Sequence, residues 1–115
     1  MRILTIILLI IGAAAAVPAA SDAFHRAAAD PRAVLRQVER AQSEYRTRHG
    51  RYTASLRALE IERPADMDVR MVAEGAAGYS AVASADGEEC AVYHGSARPP
   101  RNWVRAPGRI VCRSS

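Results

Sequence analysis

The sequence predicts an α+β domain, with one long amphipathic helix packed on a three- to four-stranded antiparallel sheet. Three observations lead there. Val34, Val38, Ala41 and Tyr45 recur at spacings of four, three and four, so one side of a helix is apolar. Several later stretches alternate at the two-residue period of a strand. The only two cysteines, Cys90 and Cys112, fall in the last two of those stretches. A sheet with one apolar face and a helix with one apolar stripe bury each other.

The helix begins at Asp30-Pro31. Asp caps free amides, and Pro31 fits the first helical position, where its missing N–H costs nothing. Leu35 lies beside the Val34, Val38, Ala41, Tyr45 face, and mixed charges fill the other positions. Glu44 has Arg40 and Arg48 four residues away on either side, whereas Arg36 and Arg40 repel mildly. His49-Gly50 ends the helix, with Gly50 suited to a left-handed cap. Residues 51–59 read as a compact turn or short helical segment that tucks Tyr52, Leu56 and Leu59 beneath the helix, and Pro64 blocks its continuation.

Strands are expected over residues 68–74, 78–85, 89–94 and 109–113. Val69, Met71 and Ala73 share one parity, as do Tyr79, Ala81 and Ala83, and Cys90 and Val92. Asp86-Gly87 is a hairpin signal between the second and third strands. Pro99-Pro100 and Pro107-Gly108 bracket an irregular loop before the last strand.

Ahead of this domain, Arg2 is followed by an apolar run and then by mostly small residues up to Ala20. That is the layout of a secretory signal peptide, with Ala16 or Ala19 suited to the cleavage point. The rival reading is an uncleaved anchor, because residues 3–20 approach a spanning length. A buried core helix is the third reading. Residues 1–20 are therefore expected as leader or anchor, and 21–115 as a single domain of modest core. The protein is placed in the periplasm or outside the cell, and held at a membrane only if the leader is retained. Export also favours a Cys90–Cys112 disulfide. The loop it closes is worth roughly 3 kcal/mol by chain entropy. Two cysteines without a suitably spaced His pair fall short of a metal site, and no cofactor is expected.

Net charge is +4, and every basic residue is Arg. Acids and bases nearly balance up to residue 97. From there Arg98, Arg101, Arg105, Arg109 and Arg113 stand without an acid, with Trp103 among them. Arg pairs with phosphate and stacks on bases, so these six residues are the candidate polyanion contact. The competing reading is a solvated edge that keeps the chain soluble. Trp103 itself either covers the sheet edge or stands exposed as a contact; burial suits so small a core.

No catalytic constellation emerges. His25, His49 and His94 are isolated in sequence, and a histidine base needs a nucleophile and an orienting acid. Ser80, Ser84 and Ser96 lack a nucleophile-elbow context. Glu88-Glu89 beside Asp86-Gly87 lacks the oxygen-rich spacing of a calcium loop and reads as a charged hairpin tip. Tyr45 and Tyr52 read as helix–loop anchors.

The run Ala41-Gln42-Ser43-Glu44-Tyr45-Arg46-Thr47-Arg48-His49-Gly50-Arg51-Tyr52, with Thr53, Leu56 and Leu59 after it, resembles the helix end and following loop of type IV pilins and pseudopilins. Gly78-Tyr79-Ser80-Ala81-Val82-Ala83, Cys90-Ala91-Val92-Tyr93-His94-Gly95 and Gly108-Arg109-Ile110-Val111-Cys112 resemble the sheet and disulfide region of small pilin-like proteins. The resemblance covers roughly residues 30–113. It implies a globular head and a structural role in a surface filament or secretion pseudopilus. The family's precursors carry a short basic leader ending in Gly, then Phe and an apolar helix with Glu at its fifth position. Here the apolar run starts at Ile3 and holds no acid. The expectation is therefore a pilin-like head in an exported, non-enzymatic structural or accessory protein, with partners in a type IV pilus, a type II secretion system or elsewhere in the envelope. The alternative is a periplasmic module whose basic C-terminal face makes a weak contact with DNA or another polyanion.

Overall fold

The computed structural model describes residues 30–114, so the leader, the proposed cleavage region and His25 lie outside the described residues. The helix, α1, spans Pro31–His49 and starts as its sequence dictates. The Asp30 carboxylate accepts a hydrogen bond from the Arg32 N–H at 3.1 Å. Gly50 closes the other end in the left-handed conformation, φ 74°, its N–H donating to the Arg46 carbonyl. Arg46, Arg48 and His49 occupy the last turn, where positive charge meets the negative end of the helix dipole.

Four strands follow: β1 (Asp68–Ala73), β2 (Gly78–Ala85), β3 (Glu88–Gly95) and β4 (Val111–Ser114). They pair antiparallel in chain order β1-β2-β3-β4. Asp86 and Gly87 both take positive φ, 51° and 76°, and Ala85 sits opposite Glu88. This is the two-residue turn whose backbone twist matches that of the strands it joins. The expected last strand sits two residues early at its start, because residues 109 and 110 still belong to the incoming loop. Residues 51–59 form turns, without a helix.

At the opposite end of the β2–β3 pair, Gly78 faces Gly95. A Cβ on Gly78 would run into the His94 carbonyl, and one on Gly95 into the Ala77 carbonyl. Gly95 also has φ 66°. Side chains are excluded there because the chain leaving β3 turns back across the end of β2, where the Ser96 N–H donates to the Ala77 carbonyl at 3.0 Å.

The two faces of the sheet are covered differently. α1 rests on the central strands β2 and β3. Between them lie Val34, Leu35 and Val38 from the helix and Tyr79, Ala81, Ala83, Cys90 and Val92 from the sheet, all buried. Met67 and Leu59 close the sides of this core. On the other face Val82, Ala91 and Tyr93 pack beneath Val104, with Trp103 and Val111 alongside. Ala91 and Tyr93 are apolar like their neighbours Cys90 and Val92, so both faces of β3 need cover. The loop between β3 and β4 supplies it on the side away from the helix. Among the described residues, no helix is long and apolar enough to cross a membrane.

Candidate functional site

The predicted helix face faces the sheet but is turned slightly from its expected line. Val34 and Val38 are fully buried, while Ala41 and Tyr45 are half-buried at the margin. Leu35 and Gln42 complete the buried line. Gln42 is 0% exposed, and a polar side chain can be so placed only if its amide is satisfied. Its Nε2 donates to the Thr53 carbonyl at 2.5 Å, and its Oε1 accepts from the Thr53 N–H at 3.1 Å. The side chain thus imitates a neighbouring strand and clasps the turn segment to α1. Polarity hid this residue from the hydrophobic pattern.

His94 is also engaged. Its Nε2 lies 2.6 Å from Glu39 Oε2 of α1, and its ring stacks on Tyr79 of β2 at 5.0 Å. Tyr79 in turn meets the Tyr52 ring at 4.9 Å. Burial, then the neighbouring Glu39 charge, push the Tyr79 hydroxyl well above the ordinary phenol range. Gly108 passes over His94, so this cluster ties helix, sheet and C-terminal loop together. The pairing of residues 39 and 94, 55 positions apart, had no local signal.

The six residues of the candidate polyanion contact are separated by their surroundings. Trp103 is half-buried against the rear core, and the Arg113 guanidinium lies 5.0 Å above its ring. Arg101 Nε donates to Glu89 Oε1 at 2.9 Å and its Nη1 to the Pro100 carbonyl at 2.8 Å. Arg98, Arg105 and Arg109 are exposed and have no carboxylate within 4.0 Å among the described residues. The loop carrying them is held at fixed points. The Val104 N–H donates to the Arg101 carbonyl, and the Gly108 N–H donates to the Tyr93 carbonyl at 2.7 Å.

A second charged feature was not anticipated. An open groove of about 760 Å³ runs between α1 and residues 60–67 and ends at the β2–β3 turn. Ala41, Ile61, Pro64, Met67 and Ala85 form its apolar lining. Glu44, Glu60, Glu62, Asp66 and Asp86 surround it, against only Arg40 and Arg63. Arg63 Nη1 donates a hydrogen bond to the Met67 carbonyl at 2.8 Å. None of the five carboxylates is within 4.0 Å of a basic group among the described residues. The sequence held a partial signal in Glu60, Glu62 and Asp66, but Glu44 and Asp86 arrive only through the fold.

Cys90 and Cys112 sit directly opposite on β3 and β4 and form the expected disulfide. Glu88 and the two sulfurs gather within 4.8 Å, a spacing that would suit a metal ion. Both sulfurs are consumed by the S–S bond, so neither is a thiolate ligand while it is intact. Compared with known proteins, the chain matches no protein-family model, no curated protein and no solved structure.

Proposed function

We propose that this chain is an exported, non-catalytic structural or accessory protein whose pilin-like head works beside a type IV pilus or type II secretion assembly. One observation carries the reading. A single long helix lies across a four-stranded antiparallel meander whose last two strands are joined by a disulfide. This is the arrangement the resemblance implies over residues 30–113. The residues quoted for it carry structural duties consistent with that role: Gln42 clasps Thr53, Gly50 caps α1, and Tyr52 packs on Tyr79. The apolar run at residues 3–20 supports export.

The test is gentle crosslinking in intact producing cells, followed by identification of what is attached to the chain. A pilus or secretion component should be recovered. Recovery of the chain without any envelope protein would overturn the role. N-terminal sequencing of the exported product would then separate a free head from a membrane-held subunit.

Arg98, Arg105 and Arg109, exposed and with no carboxylate within 4.0 Å among the described residues, favour a second reading, a module for DNA or an acidic glycan. Such binding should weaken as salt rises, because neutralised phosphates release counterions. Replacing those three arginines should abolish it; unchanged binding would dismiss the loop as the site.

A further inference from the structure

Away from the helix, part of the sheet is left without full cover. Met71, Tyr79 and Ala81 pack toward α1, so alternation puts Arg70 and Val72 of β1 and Ser80 and Val82 of β2 on the rear face. Val104 of the β3–β4 loop shields the β3 side of that face. Between the first residues of this loop and β1, the outermost strand, a groove of about 490 Å³ remains. Val72 and Ser80, paired across the ladder, line its floor. Arg98, Pro99 and Pro100 of the loop form the facing wall.

Three observations mark this groove as a site. Val72 is 60% exposed, the one large apolar side chain so placed among the described residues. Ser80 is only 6% exposed, yet its hydroxyl has no hydrogen-bond partner among the described residues. Among those residues no fully enclosed side-chain nitrogen or oxygen lacks a partner, so the Ser80 hydroxyl is reached from the groove. Water or a ligand is then the partner open to it. Lastly, three guanidiniums line the groove against one carboxylate, that of Glu74. Arg98 has no carboxylate within 4.0 Å among the described residues. Arg70 and Arg101 each give one Nε–H to Asp68 and Glu89, which leaves further donors on both.

From these observations we infer that the rear groove binds an extended acidic segment of a partner protein, one in which carboxylate and apolar side chains alternate. Arg98 takes a carboxylate in the planar, two-pronged geometry of a guanidinium, and the Ser80 hydroxyl donates to a carboxylate or backbone oxygen of the same segment. A neighbouring apolar side chain covers Val72 against Pro99 and Pro100. The occupant is a chain and not a small molecule because the groove lies open along one side, whereas small-ligand pockets enclose most of what they bind. Pro99-Pro100 fixes the backbone of the wall, so little conformational freedom is lost there on docking. This goes beyond the second reading above, since a polyanion needs neither Val72 nor Ser80. It does not rest on the pilus or secretion role.

The test is fluorescence anisotropy of the full chain, in a nonionic detergent and about 0.1 M salt, with a short labelled peptide that alternates glutamate and valine. Its ends are blocked, so only side chains carry charge. Wild type should bind it saturably, one peptide per chain. Arg98→Gln should weaken binding at least about tenfold, the worth of a hydrogen bond to a charged group. Ser80→Ala should weaken it about threefold and Val72→Ser about fivefold. Glutamine in place of glutamate, or serine in place of valine, should weaken the wild-type complex in the same way. Replacements off the groove lining, Arg105→Gln and Arg109→Gln, should leave binding unchanged. Circular dichroism verifies that each variant is folded, and Arg98 and Val72 are exposed, so those two replacements spare the core. Amide NMR shifts on titration should gather on residues 70–74, 80–82 and 97–101. Absence of saturable binding, or groove variants that bind as wild type does, would overturn the inference. Equal affinity for the glutamine or the serine peptide would overturn it too. Binding lost in Arg105→Gln or Arg109→Gln but kept in Val72→Ser would also overturn it and reassign the arginines to a polyanion.

Discussion

Replacing Gln42 with Leu removes the amide that joins α1 to the turn segment while keeping a side chain of similar size. Gln42 is wholly enclosed, and its two hydrogen bonds reach the N–H and the carbonyl of one residue, Thr53. Leucine satisfies neither. A buried backbone group left without a partner costs about 1–3 kcal/mol. Thr53 is only half-buried, so water reaches it in part and each group falls toward the lower end of that range. Leucine also gains from apolar burial beside Val38 and Met71, which offsets a fraction of the loss. The expected net destabilisation is about 2 kcal/mol, a shift of roughly 8–16 °C in Tm for a domain of this size. Urea unfolding of wild type and variant at equal pH measures it, and amide exchange at Thr53 should accelerate in the variant. Gln42→Leu within about 0.5 kcal/mol of wild type would refute the reasoning, since surface substitutions commonly fall in that range. The Thr53 clasp would then have no energetic consequence.

The double variant Cys90→Ala/Cys112→Ala should unfold about 3 kcal/mol more easily in urea, because the closed loop no longer restrains the unfolded chain; β4, only four residues long, should lose amide protection first. Tyr79 titrates above its ordinary value of 10.0 when folded, so the unfolded chain loses this proton first as pH rises. Stability from Tyr79 is therefore complete below pH 10.0 and declines above it, and Tyr79→Phe should flatten the alkaline fall in urea midpoint relative to wild type. A double-mutant cycle on Glu39→Ala and His94→Ala should give a coupling of about 1 kcal/mol at neutral pH, since the pair is partly exposed and in direct contact. Independent effects of the two substitutions would show that the 2.6 Å contact is not a coupled one.

Local chemistry by itself determined the elements. Asp30-Pro31 and Gly50 bound the helix through capping groups within a few residues of its ends. Asp86-Gly87 set the central hairpin because positive φ is a property of those two residues and their turn. Alternation placed Tyr79, Ala81 and Ala83 on the helix side, since side chains leave a strand on alternate faces. The disulfide was legible because only one pairing exists. What sequence left open depends on distance. The β3–β4 loop covers a second core only because Ala91 and Tyr93 are apolar on the face α1 does not reach. Glu39 finds His94, and Gln42 finds Thr53, by the crossing of elements far apart in the chain. The acidic groove exists only once α1, residues 60–67 and the β2–β3 turn come together. Propensity and capping act over one or two turns of chain, whereas partner choice among buried polar groups and the pooling of surface charge are decided by three-dimensional proximity.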